Sequence, residues 1–286
     1  MLLLIFLITI IVVQAKSKGI GKYCEITGDD PIKQCYTKEI IVAIIHSPNQ
    51  LALDKNTNNL YFSFDSGQGE YVAAVYKIEN KELTVLKGIK DAFAIATDEV
   101  NKEIYFGGTH GIYKYNPNLR SLKRLNMNHL DVWWIFIRTR LYFIKFPSLN
   151  TYYYAEGSIR IVEALKGQIV HQMVVDAEDN IFFINNTGLY GVKSAESKPI
   201  LLKDRTRFLN IALDNNGVVY TCSEDGIYVV TKIIQKVKKV VNIQGVLGFT
   251  FDKMNNLIYS DSHEIVRLVP ISLHDMRSSQ HFVMYR

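Results

Sequence analysis

Short apolar runs broken by polar turns recur along the whole chain, and an aromatic residue marks the middle of one run in every repeat. The clearest copy lies at 213–228, LDNNGVVYTCSEDGIY, where Asp214 opens an Asn-Asn-Gly turn, a strand carries Tyr220, and a second turn ends at Gly226 before a strand with Tyr228. Aligning the central aromatic gives Tyr61, Tyr105, Tyr142, Phe182, Tyr220 and Tyr259, spaced 37 to 44 residues apart. A second series, Tyr76, Tyr113, Tyr153, Tyr190 and Tyr228, keeps the same step, with Val266 in the sixth place. Asp54, Asp98, Asp176, Asp214 and Asp252 precede the first series, while the third unit has Ile137-Arg138-Thr139 instead. A period near 40 with four short strands per unit predicts an all-β fold, a six-bladed β-propeller. Helical solenoids would show apolar spacing of about 3.6 residues, which is missing.

Blade five shows the layout. An inner strand at 209–213 is apolar but for Asn210, as burial on both faces favours, and is followed by strands at 218–222, 227–230 and 237–243, the last with alternating polarity. An Asp at the head of a tight turn accepts hydrogen bonds from backbone N–H groups two or three residues on, so the five periodic Asp residues read as turn-formers rather than ligands. Gly111, Gly188 and Gly226 read as positive-φ turn positions. Blade six offers strands at 249–251, 257–260 and 264–269 and no fourth after them. The segment 38–45, KEIIVAII, has the character of an outer strand, and is expected to complete the last blade and close the ring. The propeller then spans 38–270, with a tail at 271–286.

Composition adds that 48% apolar and 21% charged residues suffice for a sizeable core. Residues 1–15, MLLLIFLITIIVVQA, read as a secretory signal peptide: the apolar run is shorter than the roughly 20 residues of a membrane span, ends in a small-residue pattern, and is followed by Lys16, Lys18 and Lys22. No later stretch is long and apolar enough to be a transmembrane helix. Secretion makes a disulfide between Cys24 and Cys35 plausible chemistry for an N-terminal loop at 16–37, since Gly-Asp-Asp-Pro between them turns the chain back. Cys222 is left as a buried free thiol, and three cysteines without CxxC spacing argue against a zinc site. Asn185-Asn186-Thr187 is a glycosylation sequon. A formal charge of +5, scattered and without interleaved aromatics, does not point to nucleic acid or a membrane surface.

Function is expected on the axial face where the connections between blades converge with the turns between middle strands. The candidate ligand-binding residues there are Asn49, Gln50, Phe93, Trp133, Trp134, His171, Gln172, Arg207 and Phe208, with Pro48, Asp91, His129, Gln244 and Gly245 on the same loops. Aromatics mixed with amides, imidazoles and an Arg suit a planar, partly polar organic molecule better than a peptide or a sugar polymer. The rival reading is a calcium-dependent lactonase or esterase, a chemistry that six-bladed propellers also carry. A hard cation wants several oxygen ligands, whereas the first inner strand begins Asn49-Gln50 and the later loops offer His171-Gln172 and Arg207. No G-x-S-x-G, P-loop or H-E-x-x-H pattern is present. Asp261, Ser262 and His263, read as successive residues of a strand, point to alternate faces and form no triad. No catalytic residue, metal ligand or cofactor is assigned.

Four segments carry a resemblance. HSPNQLALDKNTNNLYFSF at 46–64, FGGTHGIYKYN at 106–116, DAEDNIFFINNTGLY at 176–190 and GFTFDKMNNLIYSD at 248–261, behind the apolar leader and the Cys24–Cys35 pair, are similar to the insect ommochrome-binding proteins. The likeness covers nearly all of the chain after residue 15, with order and spacing kept. It implies a secreted haemolymph protein that binds ommochromes, tryptophan-derived phenoxazinone pigments, without chemistry; a monomer is expected. Arg138 and Arg140 in the third unit and the Tyr152–Tyr154 cluster depart from the pattern.

Overall fold

The computed structural model describes residues 26–27, 34–44, 48–89, 91–127, 130–194, 196, 198–231 and 236–271, with the backbone alone at 26–27 and 48–49. The expected signal peptide, Cys24, His129, the side chain of Asn49 and the tail from 272 lie outside the described residues.

The described residues form six antiparallel sheets. Blade one runs Pro48–Asp54, Asn59–Asp65, Tyr71–Lys77 and Glu82–Val85; blade two Ala94–Asp98, Glu103–Gly108, Gly111–Asn116 and Ser121–Arg124; blade three Val132–Ile137, Leu141–Lys145, Asn150–Ala155 and Ser158–Ile161. Blade four runs Gln172–Val175, Ile181–Asn185, Gly188–Val192 and Ile200–Asp204; blade five Phe208–Leu213, Val219–Ser223, Gly226–Thr231 and Lys236–Val241. In blade six, Gly248–Phe251, Leu257–Ser260 and Glu264–Pro270 are followed in space by Cys35–Ala43 and then Ile26–Thr27. The strand from Cys35 pairs antiparallel with Glu264–Pro270, Tyr36 opposite Pro270 and Ala43 opposite Glu264. It starts three residues before the expected 38, within the segment read as a loop, because Cys35 and Tyr36 pair with Thr27 and Ile26 on one side and Tyr36 with Pro270 on the other.

The first strands of successive blades adjoin one another round a closed circle, blade six next to blade one. They surround an axial channel. First strands are mainly apolar because each packs a neighbouring blade on either face, with Gln50, Thr97, Gln172, Asn210 and Thr250 as polar exceptions. Leu51 and Leu53 pack toward blade six with Ile258 and Ile265, while Ala52 packs toward blade two with Ile95 and Phe106. Outer strands face water on one side, and Lys236–Val241 alternates accordingly.

The two ends of the channel differ. One, the turn face, carries the turns between first and second strands; the other, the loop face, carries the connections between blades and the turns between second and third strands. The periodic Asp residues build the turn face as the sequence indicates. Asp176 Oδ1 accepts from the N–H groups of Glu178 and Asn180, Asp214 Oδ1 from Asn216 and Val218, and Asp252 Oδ1 from Met254 and Asn256. Asp54 and Asp98 do the same through Asn56 and Asn101. Blade three, lacking the Asp, turns instead through an Arg138 N–H to Arg140 O bond of 3.2 Å. Gly188 and Gly226 both sit at φ +149, and a Cβ on either would run into the backbone carbonyl of Lys203 or Val241.

Candidate functional site

On the loop face, the first strands of blades one, three and five each begin with a β-bulge, between Pro48 and Gln50, Val132 and Trp134, and Phe208 and Asn210. A bulge leaves one residue unpaired and re-aims its side chain. This separates the adjacent tryptophans: Trp133, on the bulge, is 39% exposed, whereas Trp134 is buried and donates its Nε1–H to Met173 O of blade four at 2.9 Å.

Several of the expected ligand residues join blades together. Gln50, 9% exposed, accepts the Ile95 N–H of blade two through Oε1 at 2.9 Å. Gln172 donates Nε2–H to Leu209 O at 3.0 Å and accepts the Ile211 N–H at 3.1 Å, both in blade five. Phe208 is buried edge-on against Tyr228, with centroids 5.7 Å apart. His171 is half-buried, and that burial pulls its pKa below the usual imidazole value. Arg207 stands in solvent, 4.0 Å from Glu224.

Phe93 and Trp133 do come together, within an aromatic run that crosses three blades. Tyr71 and Phe93 have centroids 5.0 Å apart, Phe93 and Trp133 6.3 Å, and Trp133 and Phe146 6.0 Å with planes at 30°. Phe146 is 49% exposed. Tyr71 and Phe146 were not singled out from the sequence; their signal was an aromatic at the turn between second and third strands.

Along the axis lies a cavity of about 400 Å³. On the loop-face side its lining stops at Gln50, Trp134 and Asn210; at the other end it reaches Lys55, Glu99, Arg138 and Asn215, so its mouth lies among the turns. Its walls mix apolar groups such as Ile95, Phe249 and Leu213 with the hydroxyls of Thr97 and Thr250. Its size is that of sites for small organic molecules, typically 300–1,000 Å³.

The charges at this mouth divide into two kinds. Glu99 is paired with Lys55 at 2.6 Å, and Asp98 and Asp214 are held in their turns, with Asp214 Oδ2 also accepting from Asn255 Nδ2 at 3.1 Å. Arg138, half-buried, donates Nη1–H to Val175 O at 3.0 Å and makes no ion pair among the described residues. Asn215 crosses from blade five to Asp252 O of blade six at 2.8 Å.

Other chemistry is limited. Among the described residues no three His, Cys, Asp or Glu side chains converge to hold a metal, the turn aspartates being spread round the ring. Asp261, Ser262 and His263 lie in a turn, not in a strand as the sequence reading had it. Ser262 Oγ meets His263 Nδ1, but Asp261 Oδ1 accepts the backbone N–H groups of His263 and Glu264, not the imidazole. Among the described residues no carboxylate orients the ring as a triad requires. Cys222 is a buried free thiol, and burial pushes its pKa up to about 12. Among the described residues no helix is long and apolar enough to cross a membrane.

No family model matches the chain. The chain is 30% identical over 244 residues to the ommochrome-binding protein of Manduca sexta, covering 82% of this chain and 88% of that one. Among solved structures, a gluconolactonase from Xanthomonas campestris superposes with TM-score 0.69 at 9% identity, covering 86% of this chain and 95% of that one. The WD40 β-propeller domain of Doa1 gives TM-score 0.62 at 12% identity over 84% and 99%. At such identities these structures establish the propeller fold alone.

Proposed function

Since the chain belongs to the ommochrome-binding protein family, we propose that it is a secreted carrier that binds an ommochrome, a planar conjugated pigment such as xanthommatin, and releases it unchanged. The observation that carries this reading is the relationship to the Manduca sexta protein, which runs through 82% of the chain rather than through one motif. A channel cavity of about 400 Å³, half-apolar in character, supports it by offering a place of the right size. In this reading residues 1–15 direct export to the haemolymph, the mature carrier is a monomer, and Asn185, at the turn between the second and third strands of blade four, carries a glycan. Cys24 and Cys35 form a disulfide, and the strand pairing of Thr27 with Cys35 favours it by laying the two segments side by side.

The test is a titration of the mature protein with xanthommatin, followed by its visible band and by tryptophan fluorescence, with and without a calcium chelator. Saturable, chelator-insensitive binding at tens of micromolar or below is expected. No spectral change in that range would remove the carrier. The rival reading, a calcium-dependent lactonase, draws on the gluconolactonase likeness in fold, and chelator-sensitive hydrolysis of a lactone would install it instead.

A further inference from the structure

We infer, resting on the carrier reading, that the pigment enters the channel from the turn face and that Arg138 receives its carboxylate. A planar molecule bound inside a cavity is covered on both faces; one laid on the open aromatic run of the loop face is covered on one. Burial of most of a ligand's surface is what gives small-molecule sites their affinity, which favours the cavity.

The mouth of that cavity is where the sequence repeat is broken. Five blades place an Asp at the head of the turn between first and second strands, Asp98 and Asp214 at the mouth itself, and their oxygens are taken up by turn N–H groups or by Asn and Thr side chains. Blade three places Arg138. A guanidinium has five N–H donors in a planar fork suited to two-point recognition of a carboxylate, and one of them is used on Val175 O. The other cation at the mouth, Lys55, is already matched by Glu99. Arg138 is thus the cation of the cavity lining that has no carboxylate partner among the described residues. Xanthommatin has a carboxylate on its ring system and another on its side chain, so it offers the missing group while its fused rings pass between the channel walls toward Gln50 and Trp134.

The experiment compares two probes of the same ring chemistry: xanthommatin, and 2-aminophenoxazin-3-one, which has no carboxylate. Affinities are read from visible difference spectra, with thermal melts to confirm folding. Arg138→Gln is expected to weaken xanthommatin tenfold or more and to leave the carboxylate-free probe within twofold. Thr250→Phe, which narrows the channel at a half-buried lining position, is expected to weaken both. Unchanged xanthommatin affinity in a folded Arg138→Gln protein overturns the inference while leaving the carrier intact. So does loss of binding in Trp133→Ala with none in Thr250→Phe, which puts the pigment on the loop-face aromatics. If the wild-type protein binds neither probe, the carrier reading fails first and the inference with it.

Discussion

At the scale of single residues, the periodic aspartates show how a carboxylate in a conspicuous place can be wholly architectural. Asp214 accepts from Asn216 N–H at 2.9 Å, Val218 N–H at 2.8 Å and Asn255 Nδ2–H of the neighbouring blade at 3.1 Å. Each donor would lose its partner in Asp214→Ala, but Asn216 is exposed and Val218 and Asn255 are half-buried, so water replaces part of what is lost and the net cost is that of an ordinary hydrogen bond, about 0.5–1.5 kcal/mol. The substitution is therefore expected to destabilise the fold by about that much while pigment affinity stays within twofold. Equilibrium urea unfolding beside the titration checks both, and a large loss of affinity without loss of stability would make Asp214 a ligand contact after all. Asp225, on the loop face of the same blade, is held differently: burial pushes its carboxyl up, but Lys239, Ser223 and Tyr228 all hydrogen-bond to it and bring it down to about 2. Because the folded value lies below the unfolded one of about 3.9, its contribution to stability is complete above that pH and fades as the pH falls toward 2.

Between elements, the joints of the ring are side chains reaching from one first strand to the next. Gln50 ties blade one to two, Trp134 blade three to four, and Gln172 blade four to five. Gln172→Leu keeps much of the volume but strands Leu209 O and Ile211 N–H, and is expected to lower the urea midpoint by the equivalent of about 1–3 kcal/mol with an unchanged slope. An unchanged midpoint would mean that water or a neighbour satisfies both groups. These joints mark the limit of what the sequence could tell. The six blades were legible because strand alternation and a central aromatic recur in all six units and the turn Asp in five of them, and all three are local signals. The joints were not, because Gln50 and Ile95 meet across 45 residues, and an amide on a loop looks the same whether it awaits a ligand or a neighbouring strand. The bulge that turns Trp133 outward and Trp134 inward is likewise a matter of strand pairing, which composition does not encode. Likewise, Phe93 and Trp133 could be placed on the loop face, but the end at which the channel widens depends on how all six first strands tilt together.

For the whole molecule, the decisive contact is between the two ends of the propeller sequence. Blade six has three strands from the end of the chain, and its fourth, Cys35–Ala43, comes from the beginning. Without that strand Glu264–Pro270 becomes an exposed edge, with Ile265, Val266 and Leu268 now fully buried. An apolar open edge is a template for pairing with other chains. Deleting residues 35–43 is therefore expected to yield insoluble or molten protein, judged by solubility and by loss of a cooperative thermal transition. Failure to fold alone would not separate a closing role from a merely N-terminal one, so the strand is best moved rather than only removed. Tyr36 lies opposite Pro270 in antiparallel register, and Ile271 N–H donates to Cys35 O at 2.8 Å, so a short hairpin turn spans the gap between the two strands. A permuted chain beginning at residue 48, running to 271 and continuing through such a turn into 35–43 is expected to recover the cooperative transition. If the permutant stays unfolded while the deletion melts like the natural chain, the strand is dispensable and the contacts among first strands alone hold the ring. If the permutant folds where the deletion does not, closure depends on the presence of this strand beside blade six and not on where it occurs in the sequence.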